Sequence, residues 1–243
     1  MTGSERWLDL DQWDAATKEP IDPAKIKGLP LYVGLDLSRG DDLCAAIFVY
    51  VAPDRIYVQP RVWLPRQTAD EYEASNGTRF REWAKDGAIT LLDETTISAA
   101  VQERIAAEII AHHAKHPITA VCYDRAYSEQ CIEAIKAANI RTEKVGQGWG
   151  VASGSAELER RLKEGSIVIE PNPVLRWNAE NVEKKDDERG NFWPVKPNAK
   201  GKYAGTRSAK IDCITALVTA LTEARKHAFP VHQQVSTAKA WIV

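Results

Sequence analysis

Leu31-Tyr32-Val33-Gly34-Leu35-Asp36-Leu37-Ser38 is an apolar run that holds a carboxylate near its end and then turns back. Such a run reads as a core strand, and a carboxylate inside it is costly unless something positive compensates it. Two further segments repeat the theme. Val121-Cys122-Tyr123-Asp124 is a second apolar run ending in Asp, and Lys210-Ile211-Asp212 puts a third in the first turn of a strongly apolar helical pattern. No cysteine or histidine set rivals these acids, so three carboxylates on three core elements point to hard divalent cations.

The 243 residues, 44% of them hydrophobic, are enough for one sizeable core. Lys and Arg total 32 against 34 Asp and Glu, a formal charge of −2. That balance argues against tight autonomous binding of nucleic acid, though not against a local basic groove. The 8 Trp against 4 Phe suggest indoles at the core boundary, but the count alone does not establish a base-stacking platform. Cys44, Cys122, Cys131 and Cys213 lack C-x-x-C spacing and read as free thiols in a reducing compartment. With no secretory segment and no apolar stretch long enough to span a bilayer, the chain is expected to be soluble, cytoplasmic and away from membranes.

Residues 1–30, polar and punctuated by Pro20, Pro23 and Pro30, read as a linker that docks through Trp7 and Trp13. Residues 31–38, 43–52 and 55–63 read as three consecutive strands with short turns, hence an antiparallel meander. Helix and strand then alternate. Helices are expected over 71–85 with a break at Asn76-Gly77, from 101 to about 115, and over 128–139, 153–164 and 211–226. Strands are expected over 88–92, 118–124 and 141–145. A hairpin pairs Asn181-Val182-Glu183-Lys184 with Phe192-Trp193-Pro194-Val195, and 228–243 reads as a tail. This order predicts an α/β fold, a mixed sheet with helices on both faces and an extra hairpin, in the layout of the RNase H-like fold.

Phosphodiester hydrolysis needs an activated water and charge at both the attacking and leaving oxygens. Two Mg²⁺ or Mn²⁺ ions about 3.5–4 Å apart supply both, and carboxylates on rigid elements hold them. On this reading Asp36 bridges the ions while Asp124 and Asp212 each complete one site. Bland readings stand beside it. Asp124 before Arg125 is also an ordinary strand-end residue, and Asp212 suits a helix N-terminus through the macrodipole. Asp36 is hardest to dismiss, because Asp is depleted in strand interiors.

Gly34-Leu35-Asp36-Leu37-Ser38 followed by Asp42-Leu43-Cys44-Ala45 resembles the first nuclease motif of the large terminase subunit of tailed bacteriophages. Tyr123-Asp124 resembles its second acidic motif and Gly146-Gln147-Gly148 the segment after it. Asn172-Pro173-Val174-Leu175, Trp177, Asn181, Gly190-Asn191, Pro194 and Lys196 resemble the later pattern, and Lys210-Ile211-Asp212 the third acidic motif. The resemblance spans about 31–226 and implies a two-metal endonuclease that cuts double-stranded viral DNA concatemers during packaging in the infected bacterial cytoplasm. It implies Asp36, Asp124 and Asp212 as metal-binding acids, with Asp42 as a supporting partner behind them. Where some members carry a histidine before the third acid, this chain has Ser208-Ala209-Lys210.

The resemblance also implies partners: a packaging ATPase domain, the small terminase subunit and the portal. No G-x-x-x-x-G-K-[ST] phosphate loop occurs, so the chain is expected to be the nuclease domain without the ATPase. Lys196, Lys200, Lys202, Arg207 and Lys210 cluster before the third acid, where a solvated face and a DNA-contact path are both open readings. His112 and His116, at i and i+4, read as surface residues without a third zinc ligand. The rival functions are another RNase H-like enzyme, of junction-resolvase or transposase type, and a non-catalytic docking module.

Overall fold

The run carrying Asp36 becomes the middle of the sheet. The computed structural model describes residues 5–124, 127–197 and 209–227. It begins with strand β1 (Glu5–Arg6) and helices α1 (Leu10–Ala16) and α2 (Pro23–Ile26), followed by the long strands β2 (Leu31–Asp36), β3 (Cys44–Val51) and β4 (Ile56–Pro65). Next come α3 (Arg66–Asn76), α4 (Phe80–Lys85), β5 (Thr90–Leu92), α5 (Ala99–His113), β6 (Ile118–Tyr123), α6 (Glu129–Ala137) and β7 (Thr142–Lys144). A 3-10 turn (Gly148–Val151) leads to α7 (Ala152–Glu164), β8 (Ile167–Ile169), α8 (Pro173–Asn181), the hairpin β9 (Glu183–Asp186) and β10 (Phe192–Val195), and finally α9 (Asp212–His227).

The main sheet runs β5-β4-β3-β2-β6-β7, with β8 on β4. The meander β2-β3-β4 is antiparallel, while β6 and β7 extend it in parallel from β2. Period-two alternation sends the two faces of β3 into separate cores. Ala45, Ile47, Val49 and Val51 pack with α7, α8 and α9, and Cys44, Ala46, Phe48 and Tyr50 pack with α5 and α6. Helices therefore cover both faces, as the order of elements predicts. Helix α9 is buried on every side from Asp212 to Ala224, with the Thr215, Thr219 and Thr222 hydroxyls donating to carbonyls four residues earlier. All four cysteines are buried free thiols.

The structure adds elements that the sequence reading did not anticipate. The segment expected as a linker does dock through its indoles, Trp7 and Trp13 both being buried, but it also carries β1, α1 and α2. Asp9 caps α1 by accepting from the amides of Asp11 and Gln12. Asp22 caps α2 with Pro23 in its first turn. β1 then pairs antiparallel with β9, so the expected hairpin becomes a three-stranded sheet. Asn181 ends helix α8 instead of opening a strand, because Asn172 caps that helix ahead of Pro173. Residues 228–243 lie outside the described residues.

Candidate active site

The register of the sheet brings the first two acids together. Leu35 of β2 pairs in parallel with Tyr123 of β6, so Asp36 and Asp124, the next residue on each chain path, emerge side by side. Asp212 opens α9, which crosses β2, β3 and β6. All three line one open cavity of about 370 Å³, together with Tyr127, Gln147, Thr215 and Lys196. As the side chains lie, no three Asp, Glu, His or Cys among the described residues are close enough together to hold an ion.

The start of α9 is pinned from below. Asn178 and Asn181, one turn apart on α8, reach the same segment. The Asn178 side-chain oxygen accepts from the Cys213 amide at 3.0 Å, and the Asn181 amide donates to the Lys210 carbonyl at 3.4 Å. Neither contact was foreseen, although the i, i+3 spacing of two Asn on a capped helix was readable. Lys210 itself is buried. Its ammonium lies 2.5 Å from the Asp42 carboxylate and over the Tyr72 ring at 5.7 Å. Burial works against its charge, but Asp42 outweighs that and pushes the Lys210 ammonium above its ordinary value. Lys210 is thus spent on an internal ion pair and is not presented to DNA, a correction to the expected cationic cluster. Asp42 holds Lys210, two residues ahead of Asp212.

The electrostatics of the cavity are those of crowded carboxylates. Burial, and then the Asp212 charge, push Asp36 well above the ordinary carboxylate range, while Lys196 opposes the shift. Burial also raises Asp212, with Lys196 and Lys210 pulling the other way. The Asp212 Oδ2 atom is buried and has no hydrogen-bond partner. A buried carboxylate oxygen seldom stays orphaned. An all-oxygen donor set, mutual repulsion and an unpartnered oxygen together fit a hard divalent cation, and they fit a thiophilic metal poorly.

Of the expected basic residues, Lys196 is exposed and lines the cavity. Lys200, Lys202 and Arg207 lie outside the described residues. Tyr127, with φ of 65° and its ring under Arg39, forms a wall that sequence reasoning missed; the positive φ of a tyrosine has no sequence signature. His112 departs from its surface reading. It is half-buried on Phe48, stacks on His116, and its Nε2 lies 2.7 Å from the Tyr50 hydroxyl.

Comparison with known proteins identifies the family of this chain. Residues 1–228 match the family described as terminase large subunit, endonuclease domain. The large terminase subunit of Enterobacteria phage HK97 is 26% identical over 203 residues, which is 82% of this chain and 39% of the relative. The crystal structure of the HK97 large terminase superposes with a TM-score of 0.76 at 22% identity, over 91% of this chain and 44% of that one. The large terminase nuclease of thermophilic phage G20c, solved with bound magnesium, superposes with a TM-score of 0.55 at 11% identity, over 92% and 99%. These superpositions share the RNase H-like arrangement of a mixed sheet between helices, and the chain spans less than half the length of the HK97 protein. The chain belongs to the terminase large subunit endonuclease-domain family.

Proposed function

We propose that this chain is a divalent-metal-dependent endonuclease that cuts double-stranded DNA concatemers during viral genome packaging. One observation carries the reading: β2, β6 and α9 deliver Asp36, Asp124 and Asp212 to one cavity in which Asp212 keeps an unpartnered buried oxygen. Asp36, Asp124 and Asp212 would hold the ions. Mg²⁺ or Mn²⁺ there supplies an activated water and charge at the attacking and leaving oxygens. The protein's own groups fix this geometry. Asn178 and Asn181 hold the start of α9, and the Lys210–Asp42 pair braces the residues leading into it. Lys196 offers a cation to the DNA backbone at the rim, and we extend that path to Lys200, Lys202 and Arg207.

Because the chain spans 39% of its HK97 relative, we place a packaging ATPase, the small terminase subunit and the portal as partners of the whole protein. Tethering of that kind compensates for the weak DNA affinity expected of a chain with net charge −2. The decisive experiment is cleavage of plasmid and linear duplex with Mg²⁺, Mn²⁺, Ca²⁺ or EDTA, beside Asp36→Asn. Mg²⁺ and Mn²⁺ should support cutting, and Ca²⁺ should bind without turnover. Robust cleavage in EDTA ends the reading. Preference for four-way junctions over linear duplex would favour the resolvase alternative.

A further inference from the structure

Among the described residues two large apolar side chains are exposed, Tyr127 at 53% and Trp149 at 70%. Both belong to the candidate active site and its surroundings. Tyr127 lines the cavity of the three acids, and Trp149 lines a second cavity of about 280 Å³. The two cavities are lined by neighbouring residues of the same two segments. Gln147 faces the first while Trp149 and Gly150 face the second; on β10, Val195 belongs to the first and Phe192 to the second.

The second cavity is lined by an indole, small residues and one cation. Its floor is made of small residues on α7, Ala152, Ser153 and Ala156, and Arg225 stands at its edge. Arg225 is exposed and donates one N–H to the Ser153 carbonyl at 3.2 Å, while a guanidinium carries five donors. No acidic side chain is among the described residues that line it. Lys184 and Lys185 of the adjoining hairpin sit over the Phe192 and Trp193 rings.

We propose that this cavity is a nucleobase subsite. It holds one unstacked base of the DNA beside the scissile phosphate, with Trp149 as the stacking surface and Arg225 on a flanking phosphate. The inference rests on the nuclease reading of the first cavity. Two observations favour DNA over a docked protein. The second cavity adjoins that of the acids through residues 147–150 and 192–195 and presents a cation with no acidic side chain among its described lining residues. A chain of net charge −2 gains little from long-range attraction, so stacking is a fitting source of affinity.

The test uses the intact chain in Ca²⁺, with labelled duplexes that are either fully paired or carry a short unpaired stretch. The native chain should bind the partly unpaired DNA at least about fivefold tighter, the lower end of what one base–aromatic stack contributes. Trp149→Ala should erase that preference and Trp149→Phe should keep most of it. Arg225→Gln should weaken both DNAs and flatten the salt dependence by about one phosphate contact. Ca²⁺-induced thermal stabilisation should survive Trp149→Ala and be lost in Asp36→Asn. If, with Mg²⁺ in place of Ca²⁺, Asp36→Asn still cleaves DNA, the nuclease reading fails whatever Trp149 does. If Trp149→Ala binds both DNAs as the native chain does, the subsite is overturned. The same result with lost binding to a full-length large subunit would replace it with a protein-docking surface.

Discussion

Gly34 and Ala216 meet backbone to backbone: a Cβ on Gly34 would stand 1.9 Å from the Ala216 carbonyl oxygen. Gly34 precedes Asp36 by two residues on β2, and Ala216 follows Asp212 by one turn on α9. The missing side chain therefore sets the spacing between two of the acids. Because the obstacle is main chain, no rotamer change relieves it. Gly34→Ala should cost about 3 kcal/mol or more, whereas Gly40→Ala, whose nearest neighbour would be Ser38 Oγ at 3.9 Å, should stay within about 0.5 kcal/mol. Urea denaturation of the two variants checks this.

Asp36→Asn and Asp212→Asn should abolish cleavage yet raise the stability of the metal-free protein at neutral pH. Both carboxyls titrate above their ordinary 3.8 in the fold, so their favourable contribution exists below 3.8 and is lost as pH rises through the raised values. The gain from Asn should be larger at pH 7 than near pH 3.8, where it vanishes. Thermal melts in EDTA at the two pH values measure it, and equal gains at both would contradict the crowding of these acids.

Asp42→Asn leaves the Lys210 ammonium buried against Tyr72 without its carboxylate. Breaking a largely buried pair from one side should cost about 2–3 kcal/mol, and Lys210→Met added to it should recover part of that loss. A double-mutant cycle should give a coupling above about 1 kcal/mol. Strict additivity would show that the pair braces nothing.

His112 gives the molecule an acid-side weakness away from the site. Burial, then the charges of His116, Arg61 and Lys115, hold its pKa down to about 4 from an ordinary 6.5. A base depressed in the fold contributes fully above 6.5 and loses that contribution as pH falls towards 4. His112→Gln should flatten the stability profile in that window, as melts between pH 7 and pH 4 would reveal.

The central sheet was legible because its strands are unbroken apolar runs separated by turn residues, and residues 31–38 read as the strand found at Leu31–Asp36. The break at Gly77 was legible as well, since a residue at φ 66° favours glycine. Helices α1, α2 and α8 were missed although Asp9, Asp22 and Asn172 announce them. Each is short, and caps carry less weight in a sequence pass than periodicity. At the site, residue types and order pointed to the three acids, and the parallel register of β2 and β6 accounts for the meeting of two of them. What stayed hidden were long-range pairings. Asp42 and Lys210 are 168 residues apart, so a lysine in a basic run looked like a phosphate contact.

Arg6, Glu183 and Val195 stand in one row across the small sheet, joining β1 to β9 and β9 to β10. Val195 is on the wall of the acid-lined cavity, with Lys196 next to it. The acids hang from a different frame, β2, β6 and α9. The leading residues of the chain are thus joined by two hydrogen-bonded ladders to one wall of the cavity, while the three acids are carried by other elements.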